Sequence, residues 1–467
     1  MRLQGDVAPA LAREAARILV GRLRQRMQSN WPPPDGGDAA LGDAALEAEL
    51  GVLRADLGRP FHRRVINATG ILLHTGLGRA PLPDVAIDAI RRVAGQGYVE
   101  VLPETGLRGR RETRIAEHLC ALTGAEAAMV VNNNAGATLL ALDAMARGGD
   151  AILSRGELVE IGGGFRMPAV MNQAGCRLVE VGATNRTKPQ DYEAAIGTET
   201  RCLLKVHPSN YRIEGFTEEV ALPELVAIGA RHGVPVVEDL GSGLMLDERL
   251  PHDAREPSVL TSVRAGADLI CFSGDKLFGS YQAGILVGKR DCIERVSRHP
   301  LYRALRMSKI GLAALEATLL VYRFGEPKRE IPILRAIWTP QDQLEARADA
   351  LREALAPHAT ALGYAVASVP SHAFLGSGAS PARALDSFSV ALSERSGASS
   401  VWGLEQLARR LRLAAPAVFP RIEDARLLLD LRSIAPGEEL EIEQVFAGID
   451  PAGPQEDGWR SGRRTND

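Results

Sequence analysis

Two side chains stand out by type and spacing: Lys276 and, 37 residues before it, Asp239. The apolar run 267–272 reads as a buried strand that stops at Ser273, Gly274 and Asp275, and Lys276 rides on its exit loop. A second apolar run, 233–239, ends in Asp239 and passes into Gly241, Ser242 and Gly243. Only six of the 55 basic residues are lysines, so arginine is the ordinary surface cation and a lysine after a strand is out of pattern. Singly, each residue has a plain reading: Asp239 caps a helix, Lys276 is a loop charge. In order, strand with Asp and then strand, loop and Lys, they suit a pyridoxal phosphate site. That cofactor's aldehyde needs an amine to hold it, and its ring nitrogen needs a carboxylate to stay protonated and act as an electron sink. Burial beside other cations favours the neutral, nucleophilic amine.

Further polar groups follow other predicted strands. Asn132 to Thr138 (Asn-Asn-Asn-Ala-Gly-Ala-Thr) separate the apolar run 128–131 from an apolar helix at 139–145. A helix start of this kind binds anions through free amides and the helix dipole. Asn134, Ala135 and Gly136 are therefore candidates for the cofactor phosphate, with Ser273 as a further contact. Ser209 and Asn210, after the run 202–206, are candidates for the cofactor ring hydroxyl or a substrate. His207 beside them is a possible base, although a histidine at a strand exit is more often structural. Arg79, Arg303 and Arg306 are candidates for an anion, since the guanidinium fork matches phosphate oxygens; an ion pair with a helix carboxylate is the plainer alternative.

The elements that must position these groups alternate. From about residue 112, helical segments separate apolar runs at 127–131, 151–154, 177–181, 202–206, 234–238, 269–272 and 285–287. That pattern predicts an α/β fold with a mostly parallel central sheet and helices on both faces, whose ligands collect at the strands' carboxyl ends. The expected organisation is a helical N-terminal module at 1–60, a catalytic core at 61–325, an α+β domain at 326–450 and a disordered tail at 451–467. In the C-terminal domain, 343–355 and 404–413 read as helices and 387–392 and 427–431 as strands. Residues 1–28 carry six arginines against Asp6 and Glu14, and apolar residues at helical spacing leave Arg13, Arg17 and Arg24 on another face.

Composition bounds the rest. With 467 residues, 45% hydrophobic and 24% charged, the chain fits a multi-domain soluble protein. A net charge of -3 argues against wholesale nucleic-acid coating but not against a local basic face. No apolar run reaches membrane-spanning length and no signal-peptide core is present, so a cytoplasmic location without membrane contact is expected. The five cysteines lack any CxxC pair and read as free thiols, and the nine histidines show no metal-ligand spacing.

Several stretches closely resemble the bacterial L-seryl-tRNA(Sec) selenium transferases, or selenocysteine synthases, which are pyridoxal phosphate enzymes of the aspartate-aminotransferase fold type I. The matching runs include Arg64 to Gly70, Leu77-Gly78-Arg79-Ala80, Ser154 to Gly163, Thr184-Asn185-Arg186-Thr187, Ser209 to Ile213, Asp239 to Gly243, Gly274-Asp275-Lys276 and Arg303 to Arg306, in matching order from about residue 5 to 450. The resemblance implies that Lys276 holds the cofactor, that Asp239 faces its ring nitrogen and that Arg79, Arg303 and Arg306 bind selenophosphate. It implies that the N-terminal module, here with Arg13, Arg17 and Arg24, binds the selenocysteine tRNA charged with serine, within a homo-oligomer, typically a decamer. The implied reaction converts L-seryl-tRNA(Sec) to L-selenocysteinyl-tRNA(Sec) through an aminoacrylyl intermediate, in selenocysteine biosynthesis. Departures from the commoner pattern fall at Gly76, Gly164, Pro208 and 278–281, none of them at a residue with an assigned role. Two other readings remain at this point: a pyridoxal phosphate lyase or transferase for a small amino acid or amino sugar, and a non-catalytic RNA-binding or assembly protein.

Overall fold

The computed structural model describes residues 7–28, 42–58, 60–161, 164–208, 211–251, 256–376, 384–395 and 401–450. The expected tail at 451–467 and the Trp-Pro-Pro-Pro break at 31–34 lie outside them. The chain divides between Arg64 and Val65 into two compact units. In the first, helices Val7–Gln28 and Asp43–Leu57 bury Ala15, Leu19 and Leu53 against Ile18, Leu23, Leu46 and Leu50. This is the apolar stripe read from the sequence. Arg13, Arg17 and Arg24 are exposed, and Arg17 pairs with Glu14 in the preceding turn.

The second unit holds two sheets. The larger has seven strands in the order Ala127–Val131, Gly284–Gly288, Leu269–Ser273, Val236–Gly241, Thr200–Val206, Asp150–Ser154 and Arg177–Val181. All run parallel except Gly284–Gly288, which is antiparallel to both neighbours. Both Leu269–Ser273 and Gly284–Gly288 are buried at every position, which is why they read as unbroken apolar runs. The expected runs all appear, with ends displaced by no more than a few residues.

The smaller sheet has the order Val65–Ala68, Ala417–Glu423, Arg426–Asp430, Ala384–Glu394 and Tyr364–Phe374. Here the structure departs from expectation in two ways. Val65–Ala68, assigned by sequence to the stretch 61–325, pairs in parallel with Ala417–Pro420 and so belongs to the C-terminal sheet. Tyr364–Phe374 and Ala417–Glu423 are strands beyond the two expected; each contains a proline, Pro370 or Pro420, a residue that argues against a strand. The sheet is pinned by Asp430, fully buried, which accepts from Ser387 Oγ at 2.7 Å, Ser371 Oγ at 3.1 Å and the Arg432 amide at 3.0 Å. Leu72 and Leu73 donate to Phe374 and Leu375 carbonyls, so the chain leaves this sheet already aligned toward the larger one.

The turn after Lys276, one of the departures from the resembling sequences, is tightly held. Phe278 is fully buried, its carbonyl accepts from Tyr322 Oη at 2.9 Å, and Ser280 Oγ lies 2.8 Å from Thr318 Oγ1. Gly279 sits at φ 75°, and a Cβ there would fall 2.3 Å from Ile331 Cγ2. Gly279→Ala should lower the unfolding free energy by about 2–4 kcal/mol in urea melts, combining left-handed strain with overpacking.

Candidate active site

The carboxyl ends of the inner strands of the larger sheet surround a cavity of about 250 Å³. Asp239 comes from Val236–Gly241, and Ser273, Asp275 and Lys276 from the end of Leu269–Ser273 and its exit loop. Asn133, Asn134 and Ala135 come from the start of helix Asn134–Ala146, and His207 from the exit of Thr200–Val206. Arg79, Phe165, Val206, Gly241 and Gln282 complete the wall. Asp239 Oδ1 and Lys276 Nζ each lie 3.9 Å from the point that a Cβ on Gly241 would occupy, so the carboxylate and the amine face one small space.

Several polar groups here are positioned by neighbours. Asn134 Nδ2 donates to Asp239 Oδ1 at 2.8 Å and Thr138 Oγ1 to Asp239 Oδ2 at 3.1 Å, which fixes the carboxylate's plane. Arg79 Nη1 bonds Asp275 Oδ2 at 3.0 Å, and the Ala80 amide donates to the Asp275 carbonyl at 3.2 Å. Arg79 itself is held at φ 62°, a conformation that costs a non-glycine residue about 1–3 kcal/mol and persists only where surroundings enforce it. His207 Nε2 lies 3.3 Å from Glu256 Oε1.

Charge in the cavity follows burial. Lys276, 4% exposed, has its amine pushed below the ordinary lysine range by desolvation and then by the Arg79 charge, against the pull of Asp239 and Asp275. Burial raises the Asp239 carboxyl, while the Asn134 bond and the Lys276 charge oppose that rise. Burial would lower the His207 imidazole, but the Glu256 bond and charge outweigh it and hold it above the usual value. Behind Asp239, Lys205 Nζ donates to Glu157 Oε1 at 2.7 Å, and this pairing keeps the lysine charged despite its burial.

Pyridoxal phosphate fits these residues. The cavity offers a buried amine, a buried hydrogen-bonded carboxylate and, between them, a glycine that leaves room for a flat ring. The helix start presents the amides of Asn134 and Ala135, which have no partners within the helix. The helix is capped by Asn133, whose Oδ1 accepts from the Gly136 amide at 2.8 Å; that bond occupies Gly136, so the free amides are its neighbours. Asn134 Oδ1 is buried without a partner, as a group awaiting a ligand would be.

Of the sequence candidates, the cavity gathers Lys276, Asp239, Asn134, Ala135, Ser273 and Arg79. Ser209 and Asn210 lie outside the described residues. Arg303 and Arg306 do not line the cavity. Arg303 is exposed on Leu301–Ala304, and Arg306 lies 3.6 Å from Glu100 and over the Tyr302 ring. Their segment still reaches the helix start, since the Asn132 amide donates to the Leu305 carbonyl. Sequence reasoning missed Asn133, Thr138, Asp275, Gln282 and Glu256. The spacing of Asn134 and Thr138, one helical turn apart beside an apolar face, was the available signal for the Asp239 clamp.

A family model described as L-seryl-tRNA selenium transferase, SelA, matches residues 65–435. This chain belongs to that family. An L-seryl-tRNA(Sec) selenium transferase of Moorella thermoacetica is 45% identical over 93% of this chain and 92% of its own length. Another from Solidesulfovibrio magneticus is 48% identical over 83% of this chain and 82% of its own. Among solved structures, a D-glucosaminate-6-phosphate ammonia-lyase aligns with TM-score 0.57 at 20% identity, covering 84% of this chain and 96% of that one. The likeness carries the fold alone.

The network behind the cavity yields a stability test. Glu238, next to Asp239 but on the opposite face, is pushed up to about 7 by burial, and its Oε2 has no hydrogen-bond partner. A carboxyl raised in the folded state binds its proton more tightly there than in the unfolded chain, so it costs stability as pH rises from about 4.5 to 7. Glu238→Gln should flatten that slope and raise stability at pH 8 by at most roughly 3 kcal/mol, read from urea melts across pH.

Proposed function

We propose that this protein converts L-seryl-tRNA(Sec) to L-selenocysteinyl-tRNA(Sec) with selenophosphate as selenium donor and pyridoxal phosphate as cofactor, in the cytoplasm. The observation that carries the reading is one cavity that unites Lys276, Asp239 and Arg79 in a chain aligned almost end to end with such transferases. When bound, the cofactor supplies a sink for the electron pair left when the serine α-proton departs.

The chain's residues divide the remaining work. Lys276 would hold the cofactor's aldehyde carbon and, once displaced by the substrate amine, take the α-proton and later return it. Its lowered proton affinity supports both tasks, because only the neutral amine is a nucleophile or base. Asp239 would face the ring nitrogen, with Asn134 and Thr138 holding its oxygens. Asn134, Ala135 and Ser273 are assigned to the phosphate end, with Gly136, whose amide is taken by Asn133, contributing only close backbone approach, and Ser209 and Asn210 to the ring hydroxyl or substrate. Serine's hydroxyl would take up a proton and leave its β-carbon as water; the selenium of selenophosphate would add at the same carbon, its bond to phosphorus breaking as water takes the phosphoryl group and phosphate departs.

Selenophosphate is assigned to Arg79, joined by Arg303 and Arg306. Arg79 is the member of this trio in the cavity wall, and its cation is already oriented by Asp275. The tRNA is assigned in part to Arg13, Arg17 and Arg24, exposed on one helix. A homo-oligomer, a decamer as the family resemblance implies, is part of the same reading. No described helix is long and apolar enough to cross a membrane.

Reconstitution with seryl-tRNA(Sec), selenophosphate and pyridoxal phosphate tests the reading. Wild-type protein should form selenocysteinyl-tRNA, whereas Lys276→Ala should lose both the visible absorbance band of lysine-bound cofactor and turnover; a variant that still turns over would sink the assignment. Charge reversal is a separate test of the helix: replacing Arg13, Arg17 and Arg24 together by Glu should weaken tRNA binding by at least tenfold in a mobility-shift titration and reduce its salt dependence. The absorbance band should be unchanged.

A further inference from the structure

A second cavity of about 330 Å³ lies beside the first and shares His207 with it. It sits over the carboxyl ends of the three outer strands Thr200–Val206, Asp150–Ser154 and Arg177–Val181, and is lined by Ser154, Thr187, His207, Tyr211 and Arg212 among others. Neither a serine nor a selenophosphate needs this extra space, and its volume is that of a small-ligand pocket.

Its walls are built rather than incidental. Two loops are zipped together: the Thr187 amide donates to the Glu218 carbonyl at 2.9 Å, the Glu218 amide to Asn185 O at 3.0 Å, and Asn185 Nδ2 to Phe216 O at 2.7 Å. Arg186 closes the same junction by bonding Glu218 at 2.8 Å. The floor acid, Glu157, is already committed to Lys205 and to the Val206 amide. On the loop that this zipper fixes, Phe216 is 91% exposed. The Tyr211 hydroxyl is tied to the Gly156 carbonyl, which holds one aromatic ring in the wall, while Phe216 stands outside the lining, next in the chain to the wall residue Thr217. Arg186 and Arg212 both line the cavity and keep more than half of their side chains open to solvent.

Resting on the function proposed above, we infer that this second cavity receives the 3′-terminal adenosine of seryl-tRNA. Serine is esterified directly to the terminal ribose, so a serine at Lys276 forces that nucleoside into adjoining space. The cavity sharing His207 is such a space. Unpaired nucleobases are bound by stacking on aromatic side chains, and phosphates by arginine. Tyr211 provides the ring in the wall, the exposed Phe216 beside Thr217 a ring at the mouth, and Arg186 and Arg212 the cations for the last phosphate. A free adenine nucleotide has the same chemistry, so the test must separate the two sources.

The test uses full-length protein loaded with pyridoxal phosphate and a seryl-tRNA(Sec) whose terminal adenine is replaced by fluorescent 2-aminopurine. Binding to wild type should quench the fluorophore. Phe216→Ala should lose most of that quench and raise KM for seryl-tRNA roughly tenfold with kcat nearly constant, the loss of one stacking contact. Phe216→Tyr should restore both, and the cofactor absorbance band should persist throughout, since Phe216 supports no core. Quench and KM in Phe216→Ala equal to wild type would overturn the inference while leaving the function intact. Quenching of free 2-aminopurine ribonucleotide but not of the tRNA would give the cavity to a free nucleotide, and would overturn it too. A wild-type enzyme inert toward seryl-tRNA would remove the function and this inference together.

Discussion

The organisation of the second unit turns on one electrostatic constraint: an amine must be kept out of water at a sheet edge without being locked into a salt bridge. Lys276 meets it because strands buried on both faces deliver it to a cavity where desolvation and Arg79 disfavour its charge, while Asp239 faces the same small space beside Gly241 without pairing with it. A direct ion pair with Asp239 would hold the amine protonated and spend the carboxylate as well. Asn134 and Thr138 satisfy both Asp239 oxygens with neutral donors, so the carboxylate remains oriented without claiming the lysine.

The same economy governs the acids farther from the cofactor cavity. Glu157 is absorbed by Lys205, Asp275 by Arg79, and Glu256 by His207. Each pairing removes a negative charge that would otherwise repel the anions this family handles. Five free cysteines lie in the same unit, three of them buried, and desolvation pushes the Cys202 thiol up to about 12, so the buried ones act as packing groups rather than competing nucleophiles.

Much of the fold was legible in the sequence because continuous apolar runs and strand-exit polar residues are local signals. Leu269–Ser273 and Val236–Gly241 could be read that way, and with them Lys276 and Asp239. What the sequence hid depends on partners distant along the chain. Val65–Ala68 has no local cue that its partner is 352 residues away at Ala417. Tyr364–Phe374 and Ala417–Glu423 carry prolines that a strand tolerates only in particular pairings. Thr138 and Glu256 acquire their meaning from a carboxylate and an imidazole that tertiary packing brings alongside. Arg303 and Arg306 show the converse: their spacing is plain, but spacing cannot say toward which cavity a short helix is turned.

The path taken by the chain to reach Arg79 has a mechanical consequence. It starts as a strand of the smaller sheet, runs past Phe374 and Leu375 and ends with Arg79 and Ala80 fastened to Asp275, one residue before the lysine. Few residues lie between these anchors, and Arg79 is already in a left-handed conformation with little slack. The segment is therefore a short link across the two sheets. Any sliding of the C-terminal layer would be conveyed along it to the amine's immediate neighbour, making the spacing of anion-binding cation and lysine a readout of how the layers are docked.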